Sequence, residues 1–130
     1  MRKVILFLMI SAGLITTLCF AEIGTSTSIS TDLMQSIEDT NKSMSSNISL
    51  NDAAASSADA KELTAMFAQV ETYFSQKGDA PDAVELAQKS KNLTIEITSA
   101  VAVKDFEKAT NAATSVSRNC RTCHTFYKKE

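Results

Sequence analysis

Five consecutive residues near the C-terminus, Cys120-Arg121-Thr122-Cys123-His124, place two thiols and an imidazole at a fixed spacing. C-x-x-C-H is the pattern that attaches haem covalently to a protein. Its two thiols add across the two vinyl groups of one porphyrin, and the histidine that follows supplies a nitrogen to the iron. The sequence therefore predicts one haem c, bound through Cys120 and Cys123, with His124 as an iron ligand.

Other interpretations of these cysteines are weaker. A structural zinc site needs about four protein ligands, whereas the chain after residue 21 contains only two cysteines and one histidine. A thioredoxin-like C-x-x-C is expected in a βαβ context, which we do not find in this sequence. A disulfide between Cys120 and Cys123 would close a very small loop and add little stability.

The segments that must position this motif are predicted to be helices. The chain has only three glycines and one proline, and so few turn-forming residues favour long helices over many short strands. In four segments, mainly apolar residues recur at alternating steps of three and four, a spacing that places these residues on one face of a helix. The segments cover about 31–48 and about 52–76, and the last two begin at 79 and at about 105. These stripes are Met34, Ile37, Asn41, Met44 and Ile48; Leu63, Met66, Val70 and Tyr73, with Phe67 and Phe74 beside them; Ala83, Leu86, Ser90, Leu93, Ile97 and Ala100; and Phe106, Ala109, Ala113, Val116, Cys120, Cys123 and Tyr127.

The ends of these segments carry residues that favour helix starts and stops. N-caps prefer Ser, Thr, Asp and Asn, C-caps prefer Gly, and proline suits the first turn. The predicted caps are Ser30 or Thr31 for the first helix, Asn51 or Asp52 for the second, with Gly78 at its end, and Asp79 ahead of Pro81 for the third.

Residues 93–103 are ambiguous, because they also fit a period of two and are rich in β-branched side chains. A lone strand would have no partner in this chain, and its backbone groups would be unsatisfied. We therefore predict that the third helix continues and has a frayed or bent end near residues 101–104.

Four such segments joined by short loops predict an all-α fold, an antiparallel up-down-up-down four-helix bundle, over residues 31–130. Cys120 and His124 are one helical turn apart and point in the same direction. Since the motif follows the apolar stripe of the last segment, the haem is expected inside the bundle.

Residues 1–21 have the pattern of a cleaved secretory signal peptide. Arg2 and Lys3 precede an apolar run over residues 4–18, and Ala21 ends an A-x-A-like site. The run is short for a membrane span, which needs about 20 residues, so no stable membrane insertion is expected after cleavage. Residues 22–30 are Ser/Thr-rich and predicted to be a flexible N-terminus. Covalent haem attachment in bacteria takes place outside the cytoplasm, so the predicted location is the periplasm.

The charge of the chain narrows the choice of partner. Cleavage after Ala21 removes two of 13 basic residues and none of 15 acidic residues, so the formal net charge goes from −2 to −4. A nucleic-acid partner is therefore not expected. The acidic balance is compatible with a protein redox partner that presents a basic patch.

Residues 33–129 resemble the cytochrome c-prime family, the four-helix class of c-type cytochromes. The most specific part is the C-terminal arrangement, in which DFEKA at 105–109 opens the last helix and FYKK at 126–129 follows the motif. Ordinary small cytochromes c carry the motif near the N-terminus instead. The middle of the chain matches mainly in its helical pattern.

The resemblance implies roles for individual residues. His124 is the proximal iron ligand, and Cys120 and Cys123 form the thioethers. The first helix supplies the other haem face, where Met34 is the distal iron ligand or a steric lid and Leu33 is the neighbour that could shield the haem instead. Met44 is a competitor of Met34 but is expected to pack deep in the bundle. Bundles of this family often dimerise, so we expect a monomer or a homodimer.

The sequence also departs from the family pattern. Many five-coordinate members have an arginine four residues after the ligand histidine, where this chain has Lys128, which lacks the planar guanidinium fork. Gas binding on the proximal side is therefore in doubt. Arg118 and Arg121 lie near the motif, and we interpret both as solvated surface residues, with pairing to the haem propionates as the alternative.

Two functions remain open. Electron transfer follows if His124 and Met34 both hold the iron, because six-coordinate iron rearranges little and His/Met ligation raises the reduction potential. Binding of a small gas such as NO or CO follows if the iron is five-coordinate and Leu33 or Met34 is only a lid. We expect no enzyme, because the one histidine is committed to iron and no other base stands beside a nucleophile.

Overall fold

A computed structural model describes residues 29–127 of the chain. The predicted signal peptide, most of the predicted flexible N-terminus and Lys128 lie outside the described residues. The described part consists of four α-helices and has no strand, which confirms the all-α prediction. These helices are α1 (Thr31–Ser49), α2 (Ala53–Lys77), α3 (Pro81–Ala102) and α4 (Phe106–Tyr127).

The helices form the predicted antiparallel up-down-up-down bundle. Each helix packs against the next one and α1 also packs against α4, with the largest interface between α2 and α3 and the smallest between α1 and α4. Every connection is three residues long, which forces consecutive helices to run in opposite directions. The α1–α2 and α3–α4 loops therefore lie at one end, and the α2–α3 loop lies at the other. No helix within residues 29–127 is both long and apolar enough to cross a membrane.

The predicted stripes form the core. Met44, Leu63, Ile97 and Val116 are almost completely inaccessible to solvent. The buried face of α4 carries small side chains up to Val116 and then continues into Cys120 and Cys123, which pack against the core and are only partly buried. The motif thus begins where the close packing of α4 ends.

Three helix starts have a side-chain cap. The Ser30 hydroxyl accepts hydrogen bonds from the backbone N–H groups of Asp32 and Leu33, at 3.1 and 3.3 Å. Asp52 accepts the N–H of Ala55 at 3.0 Å, and Asp105 accepts the N–H of Lys108 at the same distance. These bonds satisfy N–H groups that have no partner inside the helix.

The prediction of Asp79 as the cap of α3 is wrong. The N-cap is Ala80, which has no side-chain cap, and Pro81 is the first helical residue. Asp79 lies one residue too early, and its carboxylate instead lies 3.4 Å from the amino group of Lys77. The missing cap is less costly here, because proline has no N–H to satisfy.

The ambiguous residues 93–103 belong to α3, which extends to Ala102. Ile97, Ala100 and Val101 are buried on its inner face, whereas Ile95 is exposed, a helical rather than an alternating pattern. The chain turns at Val103 and Lys104, where Lys104 has a positive φ of 59°. The predicted bent end is therefore present.

Gly78 ends α2 in the left-handed region, with φ at 75°. A Cβ added there would meet no atom within 4 Å, so only backbone strain opposes a side chain. We expect Gly78→Ala to destabilise the fold by about 1 kcal/mol and to lower Tm by about 4–8 °C, as measured by circular dichroism. Gln76→Ala, one residue inside the helix end, is the control and should leave Tm nearly unchanged; equal values for both variants would contradict the strain argument.

Candidate functional site

An open cavity lies in the half of the bundle that contains the α2–α3 loop. Its volume is about 490 Å³, which is within the range of about 300–1,000 Å³ for sites that hold cofactors and small molecules. All four helices contribute to its lining. The wall from α2 and α3 is mainly apolar and consists of Phe67, Val70, Leu86 and Ala87, with Ser90 at its edge.

The structure brings the three residues of the C-x-x-C-H motif to this one cavity. Cys120, Cys123 and His124 all line it, because spacings of three and four residues share one helix face. Both cysteines are free thiols and partly buried, and His124 is exposed at the edge of the cavity.

The protein environment keeps both thiols in the neutral form. Burial raises the pKa of Cys120, and the neighbouring Cys123 raises it further; burial also raises the pKa of Cys123. A reactive or metal-binding cysteine needs the opposite shift, towards the thiolate. Within residues 29–127, no three His, Cys, Asp or Glu side chains come together as possible ligands of a metal ion. The raised pKa values and the lack of such a ligand group both make this cavity a poor site for a bare metal ion bound by thiolates.

Of the two methionines in α1 that are candidate iron ligands, one lines the cavity. Met34 is half-buried and lines the cavity from α1. Met44 is fully buried in the core and is not part of the lining. Leu33 packs partly buried against the core, also outside the lining. Met34 is therefore the candidate that the fold brings to the same cavity as the motif.

Two polar contacts in the cavity wall join different helices. The Asn41 side-chain N–H donates to the Ser117 hydroxyl at 3.2 Å and links α1 to α4. The Asn119 side-chain N–H donates to the Ser90 hydroxyl at 3.3 Å and links α4 to α3. Asn41 and Ser90 were visible in the sequence as polar residues on otherwise apolar stripes, and this was the signal that could have identified them.

The cavity wall contains one polar atom without a partner. The side-chain oxygen of Asn41 is buried and has no hydrogen-bond partner among the described residues. Buried polar groups are normally satisfied by protein or by ordered water, so this oxygen suits an occupant that brings a donor or a water. A haem with ionised propionates brings no donor, so a water would have to satisfy this oxygen. The volume, the apolar wall and the two thiols are the features that make the residues present here fit a haem.

Charged side chains surround the opening of the cavity. Glu38 lines it from α1 and pairs with Lys42, whose amino nitrogen lies 2.7 Å from a Glu38 carboxylate oxygen. Arg121 is exposed and lines the cavity from α4, whereas Arg118 is exposed and does not. The two arginines that the sequence could not distinguish therefore differ in their distance from the site.

No protein-family model, curated protein or solved structure matches this chain. The assignment of the site accordingly depends on the motif and on the geometry described above.

Proposed function

We propose that this protein is an exported c-type cytochrome of the cytochrome c-prime type, which carries one covalent haem c and transfers electrons. The observation that carries the proposal is the C-x-x-C-H motif of α4, whose two thiols and imidazole line one cavity that also receives a methionine from α1. The periplasmic location depends on the sequence of residues 1–21.

Each residue of the site has a role in this proposal. Cys120 and Cys123 hold the group by thioethers, His124 is the proximal ligand of its iron, and Met34 is the distal ligand. When bound, the haem supplies a one-electron change at its iron. The apolar residues of α2 and α3 exclude water from one side of the site, and the lower polarity contributes to the reduction potential.

Electron transfer is favoured over gas binding because Met34 reaches the cavity. A methionine that holds the distal position in both oxidation states leaves little to rearrange when an electron moves. Binding of NO or CO remains the second candidate, and one observation favours it: Met34 lies on α1, whose interface with the motif-bearing helix is the smallest of the four main helix–helix interfaces. A distal ligand on a weakly packed helix leaves the iron more easily.

The visible spectrum of the ferrous protein tests this proposal. The full chain is expressed with a haem-attachment system, and spectra are recorded before and after addition of CO. We expect sharp low-spin bands that CO hardly changes. Absence of covalently held haem would contradict the whole proposal, and a broad high-spin band that CO converts quickly would replace electron transfer by gas binding.

A further inference from the structure

The outer surface of α4 beside the motif carries the opposite charge to the mature chain. From Lys108 to the end of α4 at Tyr127 there is no acidic residue, whereas Arg118 and Arg121 are basic. Arg118 and Arg121 are exposed. Neither forms an ion pair with any residue in the range 29–127.

Most other basic side chains in the described part are paired. The pairs are Lys42 with Glu38, Lys77 with Asp79, Lys89 with Glu85, Lys91 with Glu71 and Lys108 with Glu96. Besides the two arginines, only Lys61 and Lys104 have no ion pair among the described residues. Lys61 lies in the first half of α2 and Lys104 in the α3–α4 loop, and neither lines the cavity.

An exposed aromatic side chain completes this surface. Phe126, one residue before the end of α4, is 66 % exposed. Its ring centroid lies 6.4 Å from that of Tyr127, which in turn lies 5.7 Å from that of the buried Phe74. Aromatic residues and arginine are the types that dominate binding energy at protein interfaces.

We propose that this surface of α4, defined by Arg118, Arg121 and Phe126, docks an acidic patch of a protein redox partner next to the thioether-forming cysteines. This inference depends on the proposed electron-transfer function. The net charge of −4 would favour a basic partner instead. However, charges beyond about 10 Å are largely screened at 0.1 M salt, so the charges closest to the site of electron exit determine which partner is attracted.

Small inorganic oxidants can test the local charge. The ferrous, haem-loaded protein is mixed with ferricyanide, a trianion, or with tris(phenanthroline)cobalt(III), a trication, and its oxidation is followed over a range of salt concentrations. We expect the ferricyanide rate to fall as salt rises and the cobalt rate to rise, because salt screens attraction in the first case and repulsion in the second.

Two matched double variants show which charges cause the salt dependence of these rates. Arg118→Gln with Arg121→Gln should lower the ferricyanide rate about tenfold at about 0.1 M salt and raise the cobalt rate. Lys61→Gln with Lys104→Gln removes the same number of charges outside this surface of α4 and should change neither rate much. A change of reduction potential alone would move both rates of the arginine variant in the same direction.

Three results would overturn the inference in a haem-loaded protein. The first is a ferricyanide rate that rises with salt, as the net charge predicts. The second is an equal change of rate in the two double variants, and the third is an arginine variant in which the rates with both oxidants change in the same direction. A chain that carries no covalent haem gives no oxidation signal and overturns the proposed function together with this inference, so the two failures are distinguishable.

Discussion

Replacing Cys120 and Cys123 together by serine is expected to abolish covalent haem attachment. Serine is close to cysteine in size, but its hydroxyl does not form the thioether on which attachment depends. Both thiols line the cavity and are only partly buried, so the exchange should not prevent the bundle from forming. The measurement is haem staining of the exported protein on a denaturing gel, where only covalent haem stays with the chain.

Cys19 provides a matched control for this experiment. It is the only other cysteine of the chain and lies within the predicted signal peptide, so Cys19→Ser should leave haem staining at the wild-type level. Single replacement of Cys120 or Cys123 leaves one thioether and should reduce staining without removing it. Normal staining in the double variant at 120 and 123 would refute the assignment of the motif.

Met34→Leu is expected to turn a protein that hardly reacts with CO into one that binds it. Apparent affinity is proportional to the fraction of molecules with an open site. If Met34 occupies the iron in about 99 % of molecules, its removal raises CO affinity about 100-fold. The reduction potential should fall as well, because the His/Met pair raises it. CO titration of the ferrous protein and a redox titration measure the two effects.

Met44→Leu is the control, since it is the same exchange on the same helix. Met44 is fully buried and does not line the cavity, so this variant should keep the wild-type CO behaviour. A Met-to-Leu exchange in a core costs less than about 1.5 kcal/mol, and both proteins should therefore fold. A low-spin, CO-insensitive Met34→Leu protein would show that another group holds the distal position, or that the premise of methionine ligation is wrong.

The helices were predictable because their buried stripes follow the helical period along the chain. Residues 93–103 were the one region where the periodicity fitted both a helix and a strand. The need to satisfy backbone hydrogen bonds favoured a helix, and the structure confirms this prediction. The cap of α3 was not predictable from residue preferences. Asp79 and Ala80 are both in the turn, and the backbone conformation, not the carboxylate, determines where Pro81 begins the helix.

The motif residues of the candidate site were identifiable in the sequence, whereas their surroundings were not. The motif itself specifies Cys120, Cys123 and His124. By contrast, Met34 and Met44 lie on the same stripe of α1, and only their positions along the bundle separate a cavity-lining side chain from a core side chain. The contact between Asn41 and Ser117 also joins distant parts of the chain, and no local pattern in the sequence specifies such a pair.

The small interface between α1 and α4 affects the order in which the protein loses structure. Proteins open segment by segment, and segments with few buried contacts open at the lowest free energy. In this bundle α1 is such a segment, whereas α4 remains held by its larger interface with α3. In the haem-loaded protein that we propose, partial opening would therefore separate Met34 from a group that α4 still retains through two covalent bonds. Under mild stress, that protein would keep the haem and most of its helices but lose the ligand set suited to carrying electrons.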